Sequence, residues 1–214
     1  MKFFVDTADV EEVKAARDLG LADGVTTNPT LIQKSGKPFR ETVIAMAALV
    51  QGPVNAEAVS TDRDGIIREG REMARWAPNV AVKIPITREG LQAVKVLESE
   101  DIRTTVTLVF TPVQALLAAK AGASWICPFV GRLDDISTPG MEIIGQILRI
   151  YGQYSELKTE VIVASVRTPV HVLEAALLGA HGVTIPFPVI QQMVRHPLTD
   201  QGIQKFMDDW KKTK

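Results

Sequence analysis

Short runs of β-rich apolar residues alternate along the chain with longer stretches whose apolar residues recur every three or four positions. MKFFVDT, DGVTT, PVNAEAVS, NVAVKIPI, IRTTVTLVF, SWICPFV, EVIVAS and HGVTIPF read as strands. Each is followed by a helical pattern. ADVEEVKAARDLG stops at Gly20, and PFRETVIAMAALVQ opens on Pro38 and closes before Gly52. TDRDGIIREGREMARWA, TREGLQAVKVLESE, MEIIGQILRIYGQY and PVIQQMVRH continue the series. TPVQALLAAKAGA carries Thr111 as cap and Pro112 at its first position, and TPVHVLEAALLGA is expected to be capped the same way at Thr168. Strict alternation of strand and helix predicts a parallel sheet covered by helices. Eight such units in 214 residues predict a single (β/α)8 TIM barrel of the α/β class over residues 1–214, with an extra C-terminal helix over 199–214. An open doubly wound sheet is the other arrangement, and the first strand–helix turn lacks its G-x-G-x-x-G.

Alternation along a strand then assigns faces. In VAVKIPI, the bulky Val80, Val82, Ile84 and Ile86 face the helices, so Ala81, Lys83 and Pro85 face the barrel interior. A lysine inside an apolar strand needs a partner or a task. Other strands are also interrupted near their C-terminal ends, by Asp6, by Glu57 after Asn55, by Thr107, by Phe129, and by Ser165 and Arg167. Asn28 follows the second strand in GVTTNP. Barrel enzymes place their sites at that end. Each residue also has a plain structural alternative. Asp6 could cap a helix, Asn28 could make a turn, and Lys83 could extend to a rim. Phe129 could be core.

Charge and composition narrow the classes. Lysine plus arginine number 24 and aspartate plus glutamate 25, with no block of like charge, so nucleic-acid binding has little electrostatic support. A small anionic ligand needs only one or two arginines. The single cysteine, Cys127, allows no intramolecular disulfide and fits a reducing compartment. The N-terminus turns acidic at Asp6 without a signal-peptide core, and no run suits a membrane span, so a cytoplasmic protein is expected. The histidines, His171, His181 and His196, fall on no strand end in this reading, and no metal-binding motif is present, so no metal is expected.

An inward lysine among carboxylates suggests covalent catalysis on a carbonyl compound. A neutral amine attacks a ketone and forms a Schiff base, with the carboxylates shuttling protons. That chemistry favours an amine whose pKa falls from about 10.4 toward about 7 to 8, on the order of 4 kcal/mol. Burial favours this and nearby carboxylates oppose it. An anion site falls at ASVRTP, where Ser165 and Arg167 precede a helix N-terminus. Arg132 in FVGRLDD is a second candidate arm, or else a surface arginine paired to Asp134 or Asp135.

VDTA, GVTTNPTL, AEAVS, VKIP, TLVF, PFVGRLDD and ASVRTP, in this order from Met1 to the tail helix, resemble the small transaldolase family, which includes the similar fructose-6-phosphate aldolases. The resemblance implies that Lys83 forms the Schiff base, that Asp6 moves the proton of the C4 hydroxyl, and that Glu57 and Thr107 hold and activate water. Asn28, Thr27, Ser165, Cys127 and Phe129 would contact the substrate, with Arg132 and Arg167 on its phosphate. It implies sugar-phosphate substrates, no cofactor and a homo-oligomer, pentamer or decamer, with the tail helix reaching a neighbour. Glu57 and Phe129 match the transaldolase-like branch, the aldolases resembling glutamine and tyrosine there. Thr30 and Cys127 depart from the common pattern, where serine is usual. A nucleophilic Cys127 has no histidine placed beside it.

Overall fold

The computed structural model describes residues 1–213, so Lys214, the last residue of the expected tail helix, lies outside the described residues. Eight parallel strands close into a barrel in sequence order, and the eighth pairs with the first. They are β1 (Lys2–Asp6), β2 (Gly24–Thr26), β3 (Val54–Glu57), β4 (Val80–Pro85), β5 (Thr104–Val109), β6 (Trp125–Pro128), β7 (Glu160–Val163) and β8 (Gly182–Ile185). The helices are α1 (Val10–Asp18), α2 (Pro29–Ser35), α3 (Phe39–Ala47), α4 (Arg63–Met73), α5 (Arg88–Ser99), α6 (Pro112–Lys120), α7 (Val130–Asp134), α8 (Gly140–Gln153), α9 (Pro169–Leu178), α10 (Phe187–Val194) and α11 (Pro197–Lys211). Among the described residues, no helix is long and apolar enough to cross a membrane.

Local chemistry explains most boundaries. Asp62 accepts from the Gly65 amide to open α4, and Thr87 accepts from the Gly90 amide to open α5. Thr111 and Gln114 form a reciprocal capping box on α6. Three details differ from the sequence expectation. Asn28 does not merely turn the chain, because its side chain accepts from the Leu31 amide and starts α2, a helix not predicted. A further short helix, α7, begins just after Phe129 and carries Arg132. Thr168 occupies the cap position of α9 but makes no side-chain cap bond, and His171 accepts from the Arg167 amide there instead.

The main core lies between sheet and helices. Val5, Val25, Val54, Val82, Ile84, Val106, Ile126, Val161 and Ile185 are buried there, on the outer face of the strands. Burying each such side chain stabilises the fold by roughly 1.5–3 kcal/mol. The inner face holds a smaller apolar cluster of Phe4, Ala81, Trp125, Cys127, Ile162 and Ala164. Ala81 inside and Val80, Val82 and Ile84 outside match the alternation expected for β4. Two glycines make room for the Phe4 ring. A Cβ on Gly24 would lie 2.6 Å from Phe4 Cε1, and one on Gly182 would lie 3.1 Å from Cε2. These glycines begin β2 and β8, the two neighbours of β1. Polar groups fasten the other mouth. Glu98 Oε1 accepts from the amides of Thr104, at 2.7 Å, and Ser124, at 2.9 Å, joining β5 to β6.

Candidate active site

Lys83 stands on the fourth position of β4, with its side chain in the barrel and only 4% exposed. Register places Glu57 of β3 beside it on one side and Thr105 of β5 on the other. Glu57 Oε2 lies 3.1 Å from Lys83 Nζ, and the Glu57 side chain is 11% exposed. That contact is electrostatic, because no well-directed N–H reaches Oε2. The directed bond from Nζ runs to the Thr27 carbonyl, at 3.0 Å. Lys83 is therefore neither at a rim nor unpartnered.

Asp6 ends β1, and it caps no helix, since Asp9 opens α1. Its Oδ1 accepts from Thr26 Oγ1 at 2.8 Å, and Thr26 Oγ1 lies 2.6 Å from Thr184 Oγ1. A hydroxyl has one proton to give, so with Asp6 ionised Thr184 donates to Thr26 and Thr26 to Asp6. The relay spans β8, β2 and β1, which register sets side by side. Asp6 borders the cavity, yet protein atoms crowd it. That burial raises its pKa above the ordinary aspartate range, while the Lys83 charge and the Thr26 bond pull it down.

The opposite wall comes from β6, β7 and the loops after them. Cys127 is buried on the inner face, and desolvation pushes its thiol up to about 12, with Lys83 working against that. It is a neutral thiol at physiological pH and a poor nucleophile. Phe129 follows β6, packs edge-on against Phe110 with centroids 5.8 Å apart, and carries the Arg132 guanidinium 5.1 Å above its ring. Arg167 pairs with Asp135 at 2.9 Å. Ser165 has φ 61, in the left-handed region, and Leu108 has φ 56 at a bulge in β5 just beyond Thr107. These are the non-glycine positive-φ residues next to the site, and strained backbone of this kind clusters at functional positions.

One cavity of about 190 Å³ is bordered by Asp6, Asn28, Lys83, Cys127, Phe129, Arg132, Ser165 and Arg167. Strand pairing thus brings together residues spread over most of the sequence. Glu57 stands behind Lys83, on a neighbouring apolar hollow of about 190 Å³ that also touches Asn28. Thr27 and Thr107 are buried, and their hydroxyls have no partner among the described residues. Thr27 meets the site through its carbonyl. Sequence reasoning missed Thr26 and Thr184. Their signal was present in GVTT and HGVTIPF, whose threonines fall level with Asp6 (Thr26) and Phe4 (Thr184) once β2 and β8 flank β1. A larger cavity, about 960 Å³, opens at the opposite mouth around Lys2, Trp125 and Glu160. There Glu160 takes bonds from both Lys2 and Trp125, and no buried amine is present.

Fold and site together define a (β/α)8 barrel built around a buried amine with carboxylates at hand and arginines across the cavity, the groups that carbonyl chemistry on an anionic substrate needs. Comparison narrows this class. The Transaldolase/Fructose-6-phosphate aldolase family model matches residues 3–214, and the chain belongs to that family. It is 61% identical over 212 residues to a protein of Aquifex aeolicus named probable transaldolase, covering 99% of this chain and 97% of that one. A Geotalea uraniireducens protein of the same name is 56% identical, covering 99% of both. Among solved structures, a thiamine phosphate pyrophosphorylase from Pyrococcus furiosus aligns with TM-score 0.58 at 18% identity, over 86% of this chain and 85% of that one. A mandelate oxidase variant aligns with TM-score 0.59 at 19% identity, over 84% of this chain and 59% of that one. At these identities the structural likeness concerns the barrel alone.

Proposed function

We propose that this protein is a transaldolase, transferring a dihydroxyacetone unit from fructose 6-phosphate or sedoheptulose 7-phosphate to erythrose 4-phosphate or glyceraldehyde 3-phosphate. The observation that carries this is Lys83, held inside the barrel against Glu57 and opening on a cavity that Asp6 and two arginines border. In this reading Glu57 accepts a proton from the Lys83 ammonium. The free amine attacks the C2 carbonyl, and loss of water gives the iminium. Asp6 removes the proton of the C4 hydroxyl. The C3–C4 bond breaks, its electron pair passes into the iminium, and the aldose phosphate leaves. The resulting enamine attacks the aldehyde carbon of the acceptor, and Asp6 returns the proton to the new alkoxide. Water then hydrolyses the iminium and frees Lys83, with Glu57 and Thr107 handling that water. Arg132 and Arg167 hold the substrate phosphate. The lysine supplies the electron sink, so the mechanism calls on no cofactor.

Phe129 supports transfer over release. Free dihydroxyacetone forms only if the enamine carbon is protonated, and a phenyl ring has no proton to give. The same reading places the enzyme in the cytoplasmic pentose phosphate pathway. It also makes it a homo-oligomer, supported by the exposed Ile203, Phe206 and Met207 of α11, which favour docking on a neighbouring copy over the chain's own barrel. The test is glyceraldehyde 3-phosphate release from fructose 6-phosphate with and without erythrose 4-phosphate, with Lys83→Met as blank. Release that depends on the acceptor supports transfer. Equal release without acceptor means aldolase activity. Borohydride trapping of dihydroxyacetone on Lys83, read by mass, reports the covalent step alone, and its absence would overturn the mechanism.

A further inference from the structure

The two candidate phosphate arms stand on different elements. Arg132 is on α7, and Arg167 is in the loop between β7 and α9. Their relative position depends on a seam between those elements. The Val130 amide donates to the Ala164 carbonyl at 3.0 Å, and the Gly131 amide to the Ser165 carbonyl at 3.1 Å. The Arg167 side chain lies across Gly131, where a Cβ would come 2.7 Å from Nε. Asp135 holds the guanidinium from outside.

His171 closes the seam. It sits in the first turn of α9, mostly buried, with 14% side-chain exposure. Its Nδ1 accepts from the Arg167 backbone amide at 3.1 Å. Its Nε2 lies 3.0 Å from Asp134 Oδ2, at the end of α7. A nitrogen that accepts a hydrogen bond carries no proton, so Nε2 bears the hydrogen and donates it to Asp134. Asp134 is fixed in turn by the Gly140 amide at its other oxygen. One imidazole thus ties the backbone of one arginine to the helix of the other.

We propose that His171 is a positioning residue that sets the spacing and direction of Arg132 and Arg167 for an anionic group of the substrate. The inference rests on the reading of those arginines as the phosphate arms. His171 is not among the residues that border the Lys83 cavity, so its effect falls on phosphate recognition and spares the amine. Loss of a positioning contact costs affinity through geometry, here by roughly tenfold.

The experiment uses the full chain and two probes. Inorganic phosphate binding is measured by calorimetry, and dihydroxyacetone, which carries no phosphate, is trapped on Lys83 with borohydride. His171→Ala weakens phosphate about tenfold, equal to about 1.4 kcal/mol, and changes trapping less than twofold. His171→Gln, which keeps one acceptor and one donor, restores phosphate affinity to within about threefold. Asp134→Asn removes the acceptor of Nε2–H while leaving an oxygen for Gly140, and it gives the same loss as His171→Ala. Parallel loss of both readouts would make His171 merely structural and overturn the proposal. Equal phosphate affinity in wild type and His171→Ala would overturn it while leaving the arginines in place. A wild type that traps dihydroxyacetone but binds no phosphate would overturn the arginine reading, and the role of His171 with it.

Discussion

Replacing Lys83 with methionine tests whether the resting site is a charged pair. Two unit charges 3.1 Å apart attract by ~5 kcal/mol at an effective dielectric near 20. Methionine fills most of the same volume, so little of the loss is cavity. What remains is a carboxylate, Glu57, stripped of its cation in a largely dry place, and removing one partner of such a pair costs about 3–5 kcal/mol. The partial exposure of Glu57 moderates this, and a loss of about 3 kcal/mol at pH 8 is expected. For a chain of this size that is roughly 6–12 °C in Tm.

The pH dependence follows from Asp6. Burial already holds its pKa above the unfolded value, and Lys83 is the charge that restrains that rise. Without Lys83 the rise grows. A carboxyl with a raised folded-state pKa stabilises the fold below its unfolded pKa, and that stability is lost as pH climbs through the folded value. The Lys83→Met deficit is therefore largest at pH 8 and shrinks toward pH 5. Urea unfolding at both pH values, with m held constant, measures it. Adding Glu57→Gln to the variant removes the orphaned charge and recovers about half the loss. A deficit that ignores pH, or a double variant no more stable than Lys83→Met, would refute the charged pair.

Asp6→Asn lowers transfer by roughly 10²–10⁴-fold while raising stability on the order of 1 kcal/mol at pH 8. The gain fades as pH falls, because the wild-type carboxyl then takes up its proton; thermal melts across pH check it. Phe129→Tyr places a donor opposite the amine and raises acceptor-independent dihydroxyacetone release several-fold, and an unchanged rate would remove Phe129 from the argument for transfer. Gly131→Ala sets a Cβ 2.2 Å from the Ser165 carbonyl oxygen. It costs roughly 1–3 kcal/mol by overpacking and raises KM for a phosphorylated donor more than trapping of dihydroxyacetone changes.

The barrel was legible because each strand and helix announces itself locally, and eight alternations admit few topologies. The inward direction of Lys83 was legible from alternation, which register with Glu57 and Thr105 confirms. Two helices were not. α2 and α7 are a few residues long and lie where side chains serve the cavity, so no apolar period marks them. Asn28 shows why a local reading divides: one residue both starts α2 and borders the site. The Asp6 relay needed register. Thr26 and Thr184 are 158 positions apart, and they meet only because β8 and β2 both flank β1. The role of His171 was hidden for a similar reason. Its partners, Asp134 and the Arg167 amide, belong to a seam that exists only after α7 forms.

The site is also lopsided in its hydrogen bonding, which fits the division of labour proposed for it. The buried side-chain atoms without a hydrogen-bond partner among the described residues are Thr27 Oγ1, Asn55 Oδ1, Thr105 Oγ1, Thr107 Oγ1 and Glu57 Oε2, the last meeting Lys83 only as an ion pair. All belong to β3, to β5 or to the residue just after β2, around β4 and its lysine. An unmet hydrogen bond costs about 1–3 kcal/mol, so a cluster of them opposes folding on that flank. Such a cluster persists where the rest of the barrel is stable enough to hold it, and the continuous apolar layer outside the strands supplies that stability. Across the cavity, Arg132, Arg167 and His171 are tied into ion pairs, a ring contact and backbone bonds. The satisfied flank suits a fixed anchor for an anion. The unsatisfied flank suits groups that must exchange partners as water and protons come and go. A ketose phosphate lying across the barrel mouth would put its phosphate on the first and its carbonyl on the second.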